Sequence, residues 1–304
     1  MNFNFDPFGR TLRSSFGFSF WSWQGNQLDF SQSKTLFWIL VAIVLAMTIA
    51  MWFFKARFYQ NQLVIKISHQ MIGSFFIILT GFRIIILGIG NYPNHWELIP
   101  LHFCRLMICL VGWTLVFKQV KFLKHLLIFT IIGAWFGIIF ADFNNSDYWQ
   151  AKGGIAIGYD TYVFWDFLII HLGALLISSY LLNYYRFCFT KKDLLINTSV
   201  LTVFTFIIFF ANWALTLVND PKWNANWFYL APNDYNSVYL TLKAIIGPLA
   251  SWPLLLFVFI ATGYFLTILS YCLYFWMSAY YYKKGRIYYQ PNNNWITFKT
   301  SKWF

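Results

Sequence analysis

Three side chains capable of chemistry stand close together in HWELIPLHFCRLMICLVGW, His95 to Trp113: His102, Cys104 and Arg105. The second half of this stretch is apolar enough for a bilayer. Its first half puts an imidazole, a thiol and a guanidinium where Leu or Ile would cost nothing. A nearby cation lowers a thiol's pKa and raises its thiolate fraction. A second histidine, His171, lies in another apolar run. Cys104 with His171 has the composition of a nucleophile and its base. The imidazole would take the thiol proton, the thiolate would attack an ester carbonyl, and an acyl-cysteine would pass its acyl group on. The plainer account of a membrane cysteine is a small hydrophobe, and it suits Cys109, Cys188 and Cys272.

The elements that must position these groups are membrane helices. Of the 304 residues, 59% are hydrophobic and 11% charged, against about 25% charged in a soluble domain. Apolar runs of about 18 residues or more are the membrane-span signature. Seven such runs occur: Leu36–Phe54, Met71–Gly90, Ile99–Phe117, Phe122–Ala141, Tyr162–Leu182, Leu194–Val218 and Ile245–Met277. Backbone groups in lipid need internal partners, so each run is expected to be α-helical. The fold class is therefore all-α, a polytopic membrane protein. Pro248 suits an early helical position in the last run, and Pro253 predicts a kink or a restart. GAWFG, Gly133 to Gly137, is a small-xxx-small pattern for close helix packing.

Charges alternate along the connections. Lys55, Arg57 and Lys66, then Lys118, Lys121 and Lys124, then Arg186, Lys191 and Lys192, then the C-terminal Lys283, Lys284, Arg286, Lys299 and Lys302 fall on one side. Glu97, then Asp142, Asp147 and Asp160 against Lys152, then Asp220 and Asp234 against Lys222 and Lys243 fall on the other. Basic loops face the cytoplasm, so the N-terminus is expected outside and the C-terminus inside the cell membrane. The net charge of +12 is thereby a matter of topology; no basic stripe suggests nucleic acid. Residues 1–35 read as an aromatic interfacial tail, 36–277 as the membrane domain and 278–304 as a basic aromatic cytoplasmic tail. The absence of C-x-x-C pairs supports neither a zinc site nor a disulfide framework, and no cofactor is implied.

With that orientation most intramembrane polar groups fall in the outer half of the bilayer. Arg83, His102, Arg105, Asp166, Asn212 and Trp213 join Cys104 and His171 there, from at least four helices, which suggests a polar cavity that binds substrate. His102 and Arg105, three apart, are expected on one helix face. Arg83 has two accounts: snorkelling to the interface, or pairing with Asp166 or a ligand phosphate. The outer loop NDPKWNANWFYLAPND, Asn219 to Asp234, has two as well, a lid over the cavity or an interfacial plug.

Several segments together resemble the YwaF-like bacterial integral-membrane family, over about Glu97 to Phe275. They are LIPLHFCRLMICL, IIGAWFGIIFADF, WDFLIIHLGALLIS, ANWALTLVNDPKWNANWFYLAPN and IIGPLASWPLLL. The family's eukaryotic relatives include a transmembrane acyltransferase of ether phospholipid metabolism. The resemblance implies a seven-helix fold and acyl transfer through a cysteine and a histidine, roles that fall here on Cys104 and His171. Membrane phospholipid is then the expected partner. The bias toward Lys, Asn, Ile, Phe and Tyr fits an AT-rich bacterial genome. Two other classes compete with the enzyme: a transporter or substrate-binding subunit, and a non-catalytic subunit of a larger membrane assembly contacted through the aromatic tails.

Overall fold

The computed structural model describes residues 33–54, 62–90, 92, 94–139, 141, 159, 161–218, 220–232, 243–283, 286–290 and 293–303. The aromatic stretch of the N-terminal tail, Lys55, Arg57, Lys284 and the acidic residues Asp142, Asp147, Asp160 and Asp234 lie outside them, as does Lys152. The protein is built on helices α1 (Lys34–Phe53), α2 (Gln62–Ile89), α3 (Phe103–Val116), α4 (Val120–Ile139), α5 (Tyr162–Tyr185), α6 (Lys191–Thr216) and α7 (Leu255–Ser278). Among the described residues, seven helical spans are long and apolar enough to cross a membrane. At about 1.5 Å per residue, 20 residues cover a hydrocarbon layer of about 30 Å.

Packing ranks the helices. α5 touches α1, α2, α3 and α4, while α4 touches α3, α5 and α7; α6 packs on α7. The apolar core accordingly runs through α3, α4 and α5, with Ile108, Leu127, Phe164 and Leu181 fully buried. Outward residues such as Ile78, Phe257 and Phe265 are exposed apolar side chains, which suits lipid contact. Where helices cross closely, glycine removes the obstacle. A Cβ on Gly73 of α2 would lie 2.6 Å from the Gly112 carbonyl oxygen of α3, and one on Gly112 would lie 2.9 Å from the Gly73 carbonyl oxygen. The two backbones therefore touch at this crossing.

α2 begins at Gln62, nine residues before the expected Met71, and three further elements depart from the sequence expectation, each for a local reason. α3 begins at Phe103 and not at Ile99, because Ile99 precedes Pro100 and is extended (φ −86°, ψ 120°). A single 3-10 turn, His95–Leu98, replaces the missing helical turn. His102 consequently takes the N-cap position with non-helical ψ of 131°, so it does not share a helix face with Arg105 as its spacing suggested. α7 restarts at Leu255, after a 3-10 turn at Gly247–Ala250 that holds Pro248 and the break at Ser251–Leu254 that holds Pro253. The C-terminal segment is folded. Strands β1 (Tyr280–Lys283) and β2 (Arg286–Tyr289) form an antiparallel ribbon, and helix α8 (Asn293–Thr300) packs Phe298 against Tyr271 and Phe275.

The Gly73–Gly112 crossing yields a stability prediction. Gly73→Ala is expected to destabilise the protein by about 1–3 kcal/mol through overpacking. Gly81→Ala meets nothing within 4 Å and is expected to change stability by less than about 0.5 kcal/mol. Thermal unfolding in a mild detergent checks both.

Candidate functional site

Asp166 on α5 is the centre of a buried ion network. It accepts hydrogen bonds from both terminal nitrogens of Arg105 on α3, Nη1 to Oδ1 at 3.1 Å and Nη2 to Oδ2. Arg83 on α2 brings its Nε within 3.2 Å of Asp166 Oδ2, an ion pair whose N–H is not aligned as a hydrogen bond. The rest of the Arg83 guanidinium is taken by Glu97: Nη1 donates to its carbonyl oxygen at 2.6 Å and Nη2 to its carboxylate at 2.8 Å. Tyr92 donates to the other Glu97 oxygen at 3.1 Å, and the Tyr162 hydroxyl is 3.5 Å from Asp166 Oδ1. Asp166, Arg83 and Arg105 are 2%, 6% and 9% exposed. Two guanidiniums thus meet two carboxylates, and the network carries no excess charge.

The network answers the question left open for Arg83. Its guanidinium is turned into the bundle, toward Asp166 and Glu97. Both arginines are engaged by carboxylates of this chain. Glu97 was missed as a member. Its signal was that it is the one charged residue in the connection from Asn91 to Leu98.

Cys104 and His171 approach α4 from two sides. The Cys104 thiol donates to the Gly133 carbonyl at 2.9 Å. The His171 ring lies against Gly137 so closely that a Cβ there would fall on its Cδ2 and Nε2 atoms. Gly133 and Gly137 are one turn apart on α4, and their missing side chains let thiol and imidazole reach the same stretch of backbone. The His171 Nδ1 is 2.7 Å from the Phe167 carbonyl oxygen. A carbonyl can only accept, so Nδ1 carries the proton and Nε2, the nitrogen facing Gly137, keeps a basic lone pair.

The remaining candidates border this centre or lie apart from it. His102 packs its ring against Trp96 at 5.2 Å and Tyr229 at 6.2 Å. Asn212 of α6 clamps the loop that follows α6: its Nδ2 donates to the Trp227 carbonyl at 2.7 Å and its Oδ1 accepts from the Trp227 amide at 3.1 Å. The loop packs inward there, with Ala225, Trp227, Phe228 and Leu230 in a cluster with Trp96, Phe209 and Leu255. Trp213 is 43% exposed and contacts Phe210 and Trp252, on the α6–α7 side. Among the described residues no cluster of His, Cys, Asp and Glu has the geometry to hold a metal ion.

Removing one partner of a buried ion pair costs about 3–5 kcal/mol, because the other charge is left without a partner. Asp166→Asn leaves Arg105 without a carboxylate and Arg83 with Glu97 alone, and is expected to destabilise the protein by that amount, measured as loss of folded protein on heating. Burial and the Glu97 carboxylate also push the Tyr92 phenol well above its ordinary range. With the folded-state value raised, this stabilisation is complete below about pH 10 and is lost as pH rises through the folded-state value. Tyr92→Phe is therefore expected to flatten part of the stability decline above about pH 10, followed by thermal unfolding as a function of pH.

The profile of the TMEM164 family matches residues 29–274, a span that holds every residue of the ion network together with Cys104 and His171. No curated protein and no solved structure matches the chain. With seven apolar helices and a match over most of its length, the chain is a multi-pass membrane protein and belongs to the TMEM164 family.

Proposed function

We propose that this chain is a lipid acyltransferase of the cell membrane, with Cys104 as the acyl-accepting nucleophile and His171 as its base. The observation that carries the reading is the tautomer of His171. Its Nδ1–H is spent on the Phe167 carbonyl, and its basic Nε2 abuts Gly137, one turn along α4 from Gly133, whose carbonyl accepts the Cys104 thiol. The resemblance of the segments around Cys104 and His171 to a family whose eukaryotic relatives include an acyltransferase supports the same assignment. The alternation of basic and acidic loops supports a site near the outer leaflet.

In this mechanism Nε2 takes the thiol proton as Sγ attacks the carbonyl carbon of a phospholipid ester. The carbonyl π pair moves to oxygen. Collapse breaks the carbon–oxygen bond, and the departing alkoxide takes the proton from the imidazolium. The products are a lysophospholipid and a Cys104 thioester. An acceptor hydroxyl then loses its proton to Nε2 and attacks the thioester, and the released thiolate recovers the proton. Arg83, Arg105 and Asp166 act as positioning residues: Arg105 follows Cys104 directly and ties α3 to the helix that carries His171. His102 lines the approach from the loop end, which Asn212 holds shut through Trp227, and Trp213 offers its ring to lipid outside.

The test is intact-protein mass spectrometry after incubation with a phospholipid carrying an isotope-labelled acyl chain. One acyl adduct, released by neutral hydroxylamine, is expected on the unaltered protein and not on Cys104→Ala. On His171→Gln it is expected to form about 10²–10⁴-fold more slowly. No adduct, with the label unmoved in the lipid extract, would overturn the reading in favour of a binding or scaffold role.

A further inference from the structure

The chain beyond α7 is folded against the ends of the spans, and its position fixes what lies beside it. The ribbon starts two residues after α7 ends, and the Gln290 amide donates to the Ala279 carbonyl at 2.9 Å, which brings the second strand back to that helix end. Tyr282 of β1 packs edge-on against Phe54, the C-cap of α1, at 5.0 Å. The ribbon therefore reaches sideways from the end of α7 to the end of α1, along the boundary where both spans leave the apolar layer. Helix α8 is held at the same boundary. Phe298 and Trp295 pack on Phe275 of α7 at 5.1 and 5.4 Å, and Ser301 Oγ accepts from the Lys191 amide, at the start of α6, at 3.0 Å.

The register of the ribbon sorts its side chains. Paired residues share a face, so Tyr280 and Tyr289, with Tyr282 and Ile287, form one face, and Tyr281 and Tyr288, with Lys283 and Arg286, form the other. The first face is the one that meets the helix ends, through Tyr282 on Phe54 and Tyr280 on Trp276. Yet Ile287 and Tyr289 on that face are 60% and 64% exposed. A two-stranded ribbon is marginally stable in water by itself, and this one leaves part of its apolar face bare. Helix α8 likewise exposes Trp295 and Ile296 beside Lys299. From Ala279 to Phe304 the sequence carries Lys283, Lys284, Arg286, Lys299 and Lys302 and no acidic residue. Among the described residues none of Lys283, Arg286, Lys299 and Lys302 has an ion-pair partner.

We propose that the ribbon and α8 form a docking surface for the anionic headgroups of the bilayer that the protein itself spans, at the leaflet where α1 and α7 end. The aromatic face settles at the boundary between hydrocarbon and water, where rings with polar tips are favoured. The lysine and arginine stems lie along apolar surface and place their charges among the headgroups. Basic side chains held within a Debye length of an anionic surface are attracted to it. A soluble acidic partner would match the charge, but it would leave unexplained why bare apolar side chains stand at the level of the helix ends. The surface is separate from the candidate site: Asn294 donates to the Phe187 carbonyl just past the end of α5, whereas Asp166 lies near the start of that helix. The proposal therefore stands whether or not the protein transfers acyl groups.

The test captures whatever touches the surface. The photoreactive residue p-benzoylphenylalanine replaces Tyr289 of the ribbon in one variant and Ile296 of α8 in another, both exposed positions. The full chain is placed in nanodiscs holding equal amounts of phosphatidylglycerol and phosphatidylcholine of different acyl mass, irradiated, and read by mass spectrometry of the crosslinked peptide. Phosphatidylglycerol is expected in about fivefold or greater excess over phosphatidylcholine at both positions. Adding Arg286→Gln with Lys299→Gln is expected to bring the two lipids within about twofold, as is raised salt with all charges intact. Lys118→Gln with Lys121→Gln removes the same charge from another connection and is expected to leave the excess unchanged. Capture of the two lipids in equal amounts, or no capture of lipid, overturns the proposal. An equal fall in the two charge variants also overturns it, because the attraction would then belong to the basic side of the chain as a whole and not to this surface.

Discussion

Asp166 sits in a layer that solvates charge poorly, and the bundle brings guanidiniums from two neighbouring helices to it. One carboxylate meets two guanidiniums, and the surplus positive charge is cancelled by Glu97. The pairing ties α2, α3 and the turn before α3 to α5. Its consequence is geometric. Arg105 follows Cys104 in sequence, and His171 lies five residues beyond Asp166 on α5, so the ion pair that joins Arg105 to Asp166 also sets the register of thiol against imidazole. A bidentate guanidinium–carboxylate contact fixes orientation as well as distance, which a point-charge lysine would not do.

The second constraint is the thinness of α4. Thiol and imidazole come from helices that flank it, and any side chain at Gly137 would occupy the position of the His171 ring. The small residues here do two things at once. They bring α3, α4 and α5 close, and they leave α4 backbone exposed as a hydrogen-bonding surface, with the Gly133 carbonyl receiving the Cys104 thiol. Helix packing and the approach of Cys104 and His171 to α4 are one feature of the sequence.

Polar contacts of a different kind close the opposite end of the bundle. Lys124 pairs with Asp193 at 2.5 Å, and Asp193 also completes the capping box with Thr190 that starts α6. His125 joins Asn197 at 2.6 Å, and Asn197 donates to the Tyr271 hydroxyl at 3.0 Å, linking α4, α6 and α7. His69 of α2 has both ring nitrogens 3.1 Å from tyrosine hydroxyls, those of Tyr185 and Tyr180 on α5. Lipid supplies no hydrophobic drive between helices that are as apolar as itself, so small-residue crossings and interhelical polar bonds carry more of the specificity. The two polar ends and the glycine crossings between them fit that rule.

The seven spans were legible in the sequence because lipid leaves the backbone little choice but helix, and because apolar run length reports span length directly. The two prolines of the last run announced a restart, and it is found at Leu255. GAWFG announced close packing, and the helices do meet there. What the sequence withheld was partnership. The choice between snorkelling and pairing for Arg83, the part of Glu97, the tautomer of His171 and the clamp of Asn212 on Trp227 all join positions distant in the chain, and nothing local encodes which helix faces which. Pro100 moved His102 out of the helix by constraining one preceding residue, a short-range effect that three-residue spacing alone could not register. The folding of residues 280–300 into a ribbon and a helix was likewise decided by contact, since Phe298 and Trp295 find their partners on α7. Composition and run length determined that this chain crosses a membrane and how often. Only tertiary structure decided which of its polar groups meet, because a buried charge is stable only beside the partner that the folded bundle brings to it.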